Sequence, residues 1–175
     1  LCVIILMLVS ACESSQSEKD YLEAKKALQS PNIVDGLILI ERMIKVRPQA
    51  KFTMKAALDA EGVCIKDKAC ADHEEIFLRF IVEKSRDEKE IIRAQKRLCE
   101  ILYDRGFYKQ SIDEMSKLLS KQDFQDGRVD ERLKLARANF YIKNFYQAQV
   151  ELNSYLKEAK SDDEKFEGYL LQADI

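Results

Sequence analysis

Apolar residues recur along this chain at intervals of three and four, the period of a helix that buries one face. Leu98, Ile101, Leu102 and Tyr103 keep that spacing before Gly106, and Ile112, Met115, Leu118 and Leu119 keep it afterwards. Residues 98–119 therefore read as a helix, a glycine turn and a helix running back. The same reading gives a pair over 17–48, with Tyr21, Ala24, Ala27 and Leu28 on its first helix and Gly36, Leu37, Ile40, Met43 and Ile44 on its second. Ser30-Pro31-Asn32 separates the two, with Asn32 predicted to cap the second helix by accepting from its free amides. A less regular pair follows over 49–83, a third over 87–121 and a fourth over 129–159. Asp72 to Glu75, Ser85 to Glu88 and Ser161 to Glu164 have the form of capping boxes, each predicting a helix start. The last of these opens a further helix through Phe166 and Leu171.

The turn repeats. Tyr103-Asp104-Arg105-Gly106-Phe107-Tyr108 returns thirty-eight residues later as Tyr141-Ile142-Lys143-Asn144-Phe145-Tyr146, a period typical of stacked helix pairs. The expected fold is all-α: an αα-hairpin solenoid of about four helix pairs plus the start of a further helix. With 5 Gly, 2 Pro and no Trp in 175 residues, composition agrees with a helical body. The 29 Lys and Arg nearly cancel the 31 Asp and Glu, so there is no basic field for nucleic acid.

In the second helix of the first pair, Gly36, Ile40, Met43 and Pro48 resemble the tetratricopeptide repeat (TPR) at all four spacings. That family places a small residue early in the helix, a large apolar residue four later, another three beyond and Pro five after that. The small residue lets the two helices of a repeat approach closely, so a bulky side chain at Gly36 would force them apart. Ser111 stands where the repeat prefers Ala. The resemblance runs over about 17–172 and implies a superhelix whose first helices line a groove for partner segments. Carried over by position, the groove-facing residues of the third pair are Arg93, Lys96, Glu100 and Tyr103; Lys134 and Tyr141 are their equivalents at the 38-residue offset. Tyr supplies rigid contact area and Arg and Lys hold carboxylates, a mixture suited to peptide recognition.

Before the first pair, Leu1 to Val9 is an uncharged apolar run too short for a bilayer core, which needs about 20 residues. Its length fits the apolar region of a secretory signal. Val9-Ser10-Ala11-Cys12 at its end resembles the lipobox of bacterial lipoproteins, in which the peptide is cut before the Cys and the thiol is lipidated. The resemblance assigns 1–11 to an incomplete signal peptide, Cys12 to the lipid anchor, 12–20 to a polar tether and 21–175 to the repeat domain. The absence of a starting Met and basic leader, and the apolar helix at the other end, lead us to expect a piece of a longer protein. Glu13, rather than Asp, after the Cys points to the outer membrane, facing the periplasm.

Export brings an oxidising compartment, in which nearby thiols pair. Cys64 and Cys70 enclose a short loop, and a disulfide there is expected, worth about 2 kcal/mol from chain entropy. Adding His73 gives three potential soft ligands, short of the four and of the C-x2-C spacing that structural zinc uses, so no metal is expected. Cys99 reads as a small buried apolar residue. A single His, with no G-x-S-x-G, phosphate-cradling glycine loop or H-E-x-x-H, offers no catalytic constellation. The acid pairs sit at predicted helix starts, where the helix dipole favours them. The expectation is therefore a non-enzymatic, cofactor-free scaffold, lipid-anchored in the bacterial envelope and binding envelope proteins or peptide segments. The alternative is a lipoprotein that binds or helps remodel cell wall. Small-molecule substrates and nucleic acid are not expected.

Overall fold

The computed structural model describes residues 2–67, 70, 72–125 and 127–175, with side chains described from residue 15 onward. Among them the chain is all-α, as expected, with nine helices and no strand: α1 (Cys2–Leu28), α2 (Ile33–Val46), α3 (Thr53–Cys64), α4 (Glu74–Lys84), α5 (Glu88–Asp104), α6 (Tyr108–Ser120), α7 (Arg128–Tyr141), α8 (Phe145–Glu158) and α9 (Asp162–Asp174). In chain order these are four hairpins and one further helix. The chain forms two compact units, residues 1–94 and 95–175, and the division falls within α5.

In the first unit the buried positions of α1 are Ser17, Tyr21, Ala24 and Leu28, one stripe at intervals of four, three and four. They pack on Leu37, Ile40 and Met43 of α2 and, with Ala56, Ala60 and Phe77, form the core. Gly36 lies at the closest approach of α1 and α2: a Cβ there would come within 2.7 Å of the Leu28 backbone nitrogen. The polar string 13–20 lies within α1; Ser17 is buried and Asp20 pairs with Arg47. Cys12 belongs to α1, but its side chain lies outside the described part.

Three of the predicted caps differ. Asn32 occupies the N-cap of α2 without capping it; its amide instead donates to Asp35 Oδ2 at 3.0 Å. Helix α4 begins after His73, which displaces Asp72 from the capping position. At α5 the nearby Asp87 accepts from the Lys89 N–H at 2.9 Å, while Ser85 accepts from Asp87 N–H. The box at Ser161–Glu164 forms in full: Ser161 Oγ accepts from the Glu164 N–H at 3.1 Å, and the Glu164 carboxylate accepts from the Ser161 N–H at 2.9 Å.

In the second unit the turn after α5 places Gly106 in the left-handed region, φ 77°. Its N–H bonds Tyr103 O at 2.9 Å, and the Phe107 N–H bonds Leu102 O at 2.9 Å. These are the two bonds of a Schellman C-cap. After α7 the same pair of bonds runs from Lys143 to Phe140 O and from Asn144 to Asn139 O, and Lys143 holds φ 63°. The structural counterpart of Gly106 is therefore Lys143, not Asn144, and the repeat offset is thirty-seven residues. One residue fewer also aligns Ser111 with Ala148, both fully buried at the fourth position of their helices. Ser111 donates to Cys99 O at 3.1 Å, and Gly168 of α9 rests against Tyr155 and Leu156 of α8.

Candidate binding face on α5 and α7

Helix α5 turns Leu98, Cys99 and Leu102 into the core of the second unit and leaves Lys96, Glu100 and Tyr103 partly exposed at helical spacing. On α7, Leu133 and Ala136 are buried, while Lys134 and Arg137 are half-buried and Tyr141 is exposed. The two helices thereby carry five of the six predicted groove residues in one unit. The sixth, Arg93, belongs to the first unit. There its Nε and Nη2 donate to the Glu61 carboxylate at 3.1 and 2.6 Å, and Glu61 is 2% exposed. Arg93 is thus committed to neutralising a buried acid.

Tyr103 and Tyr141 do meet, with ring centroids 6.4 Å apart. Tyr108, from the start of α6, completes the cluster at 5.5 Å from Tyr103 and 4.7 Å from Tyr141. Phe140 continues it, 6.0 Å from Tyr141 and 5.7 Å from Phe145. Burial, then the Tyr141 phenol, push Tyr103 up to about 12, with Arg137 opposing. Half of Tyr141 and of Phe107 remains exposed, as does nearly half of Phe145.

About two to three turns before Tyr141 on α7 lies an ionic group. Glu131 is fully buried, and Lys134 Nζ donates to its Oε1 at 2.8 Å. The second carboxylate oxygen has no hydrogen-bond partner among the described residues. Burial raises the Glu131 pKa, opposed by Lys134 and by the charge of Lys96. Burial alone would lower Lys134; its bond to Glu131 and the negative charges of Glu131, Glu100 and Asp130 together outweigh that and raise it. Glu100 contributes negative charge to the same group and lies 3.4 Å from Arg97. Lys96 reaches Gly127, where a Cβ would come within 2.7 Å of its Nζ; Gly127 adopts φ 73°.

The revised offset changes the equivalences. Lys134 matches Arg97, and Tyr141 matches Asp104, the last residue of α5; the counterparts of Lys96 and Tyr103 are Leu133 and Phe140. Tyr103 and Tyr141 are brought together by the packing of the turns, not by occupying one repeat position. Tyr108, Arg137 and Glu131 were not singled out in the sequence. Tyr108 stands in the recurring turn and Glu131 three residues before Lys134, the spacing of a helical ion pair.

The predicted disulfide is not formed. Cys64 and Cys70 are free thiols, buried together in the first core and hydrogen-bonded to each other, and burial pushes both pKa values up. Neutral thiols pack there as small apolar groups, so the pair needs no covalent bond to close the core. The histidine near them is engaged elsewhere: His73 Nδ1 pairs with Glu41.

Chemically, the α5–α7 face offers ring surface, phenolic hydroxyls and a polar flank, which are means of holding another molecule. Among the described residues, no helix is long and apolar enough to cross a membrane. No known protein family, curated protein or solved structure matches the chain.

Proposed function

We propose that this protein is a TPR-like interaction scaffold of the bacterial envelope, tethered by a lipid on Cys12 and facing the periplasm from the outer membrane. The observation that carries the reading is the Tyr103–Tyr108–Tyr141 cluster, with exposed ring area on a hairpin face of the second unit. Aromatic side chains of this kind dominate binding energy because they bury large area with few rotors to freeze. The expected ligand is a segment of an envelope protein laid across α5 and α7.

Crosslinked pull-down of the lipidated protein tests the reading. Capture of a reproducible set of envelope proteins, lost in Tyr103→Ala/Tyr141→Ala, supports it. Binding to purified cell-wall sacculi that needs the same tyrosines, without protein capture, replaces it by the glycan-binding alternative. Lipidation is tested separately: normal processing of the precursor in the presence of globomycin, which blocks the lipoprotein signal peptidase, would remove the membrane anchor from the proposal.

A further inference from the structure

A second surface, in the first unit and independent of the tyrosine cluster, carries an electrostatic signature. A cleft of about 620 Å³ lies between the α2–α3 connection, the first turns of α3 and the α4–α5 connection. Its cations are Lys51, Lys55, Lys84 and Arg86; its acids are Asp87 and Glu90. Both acids accept hydrogen bonds from neutral donors and keep their charge, so four cations against two acids leave the lining net positive. Asp87 Oδ1 accepts from the Lys89 N–H at 2.9 Å, and Glu90 Oε2 accepts from the Ser85 hydroxyl at 2.7 Å.

Three of the four cations are unspent. Lys84 lies 2.6 Å from Glu83, whereas among the described residues Lys51, Lys55 and Arg86 have no carboxylate partner. Lys51 and Lys55 instead rest over rings, 5.4 Å from the Phe52 centroid and 5.2 Å from the Tyr21 centroid. These contacts set each ammonium group over a ring face, a weak attraction that leaves its positive charge unneutralised. Beneath them the wall is apolar, made by Pro48, Met54 and Leu58.

We infer that this cleft docks an acidic, partly apolar segment of another protein. Positive charge over an apolar wall selects carboxylates that alternate with aliphatic side chains, because each element satisfies one part of the surface. A nucleic acid would need a broad basic field, but the chain as a whole carries a net charge of -2. The confinement of the cations to one concave site likewise favours a narrow segment over a flat anionic membrane. The inference does not rest on the tyrosine face.

The test uses the full chain and a fluorescent dodecapeptide of alternating Glu and Leu, followed by anisotropy at low and at physiological salt. Saturable binding that weakens with salt is expected, with no binding of the Lys-Leu counterpart. Lys55→Glu/Arg86→Glu should weaken it by roughly tenfold or more, and Arg86→Gln by a smaller factor in the same direction. Tyr103→Ala/Tyr141→Ala should bind the probe as the parent does, so failure of the tyrosine face leaves this result standing. Equal binding by the charge-reversed and parent proteins overturns the inference, as does failure to bind at all. Preference for phosphatidylglycerol vesicles or single-stranded DNA over the peptide, dependent on the same cations, also overturns it. So does self-association abolished by the reversal. Circular dichroism of the exposed-site variants should match the parent.

Discussion

Gly36 sits against Leu28 so closely that a Cβ on the glycine would meet the leucine backbone nitrogen at 2.7 Å and its Cγ at 2.9 Å. Backbone cannot step aside as a flexible side chain can. Gly36→Ala should therefore destabilise the first unit by about 1–3 kcal/mol, in spite of the better helix propensity of Ala. Gly62 is the control: it is also helical, but nothing lies within 4 Å of its would-be Cβ. Gly62→Ala should stabilise by about 0.5–1 kcal/mol. Urea unfolding of the two variants measures the difference, and equal shifts would contradict the close approach.

The paired Schellman turns give opposite mutations at equivalent sites. Lys143 carries a side chain at φ 63°, where an L-residue costs about 1 kcal/mol, while Gly106 avoids that cost at φ 77°. Lys143→Gly should raise the unfolding midpoint and Gly106→Ala should lower it. If Asn144 were the true counterpart, Lys143→Gly would instead be neutral or destabilising.

Arg93 distinguishes a stabilising role from a binding one. Removing its guanidinium strands the Glu61 carboxylate in the core, at a cost of about 2 kcal/mol given that the arginine itself is half exposed. Arg93→Ala should lower the thermal midpoint, and the double variant with Glu61→Gln should recover part of the loss. A binding role alone would leave the midpoint where it was.

Tyr21 donates to Asp59 Oδ2 at 2.8 Å; burial and then that bond push the phenol up to about 12. The folded value lies above the unfolded one of about 10. Its contribution to stability is therefore complete below pH 10 and is lost as pH rises from there through about 12. Tyr21→Phe should cost about 1 kcal/mol at neutral pH and flatten the alkaline limb of the stability curve. Tyrosinate absorbance should show Tyr21 and Tyr103 ionising late, and an unchanged titration in the Phe variant would refute the assignment.

At the other end of the chain, Ser161→Ala should cost about 1 kcal/mol and speed hydrogen exchange in the first turn of α9. Hydrogen bonds from the Ser161 and Lys160 backbone hold the Glu164 pKa below the usual range. That part of the cap is present above the ordinary carboxylate range and disappears as pH falls through the lowered folded value. Protection of the α9 amides, taken relative to their intrinsic exchange rates, should accordingly fall at acid pH in the parent and stay low throughout in Glu164→Gln.

Helix periodicity made the hairpins readable, because a buried stripe at intervals of three and four is both a sequence pattern and a packing requirement. Gly36 was readable for the same reason: only a small residue satisfies that spacing. Turn register was not. Asn tolerates the left-handed region and Lys does so poorly, so Asn144 is the natural partner for Gly106 in the sequence. The structure chooses Lys143, since the two Schellman bonds must reach Phe140 and Asn139. Charge pairing was equally hidden. Nothing local to Arg93 announces Glu61, thirty-two residues earlier on another helix. The meeting of Tyr103 and Tyr141 was visible through an offset one residue too long, and Tyr108 was missed because its ring joins them only when the two turns lie side by side.

The buried thiols provide a clock for the motions of this protein. Cys64 and Cys70 in the first unit and Cys99 in the second are shielded, and burial keeps all three protonated well above the usual thiol range. An alkylating reagent can reach none of them until its unit opens. The labelling rate at Cys64 and Cys70 therefore times one opening event, and that at Cys99 times another. The chain thus carries its own reporters of whether binding at one surface slows the breathing of its own unit alone or of both.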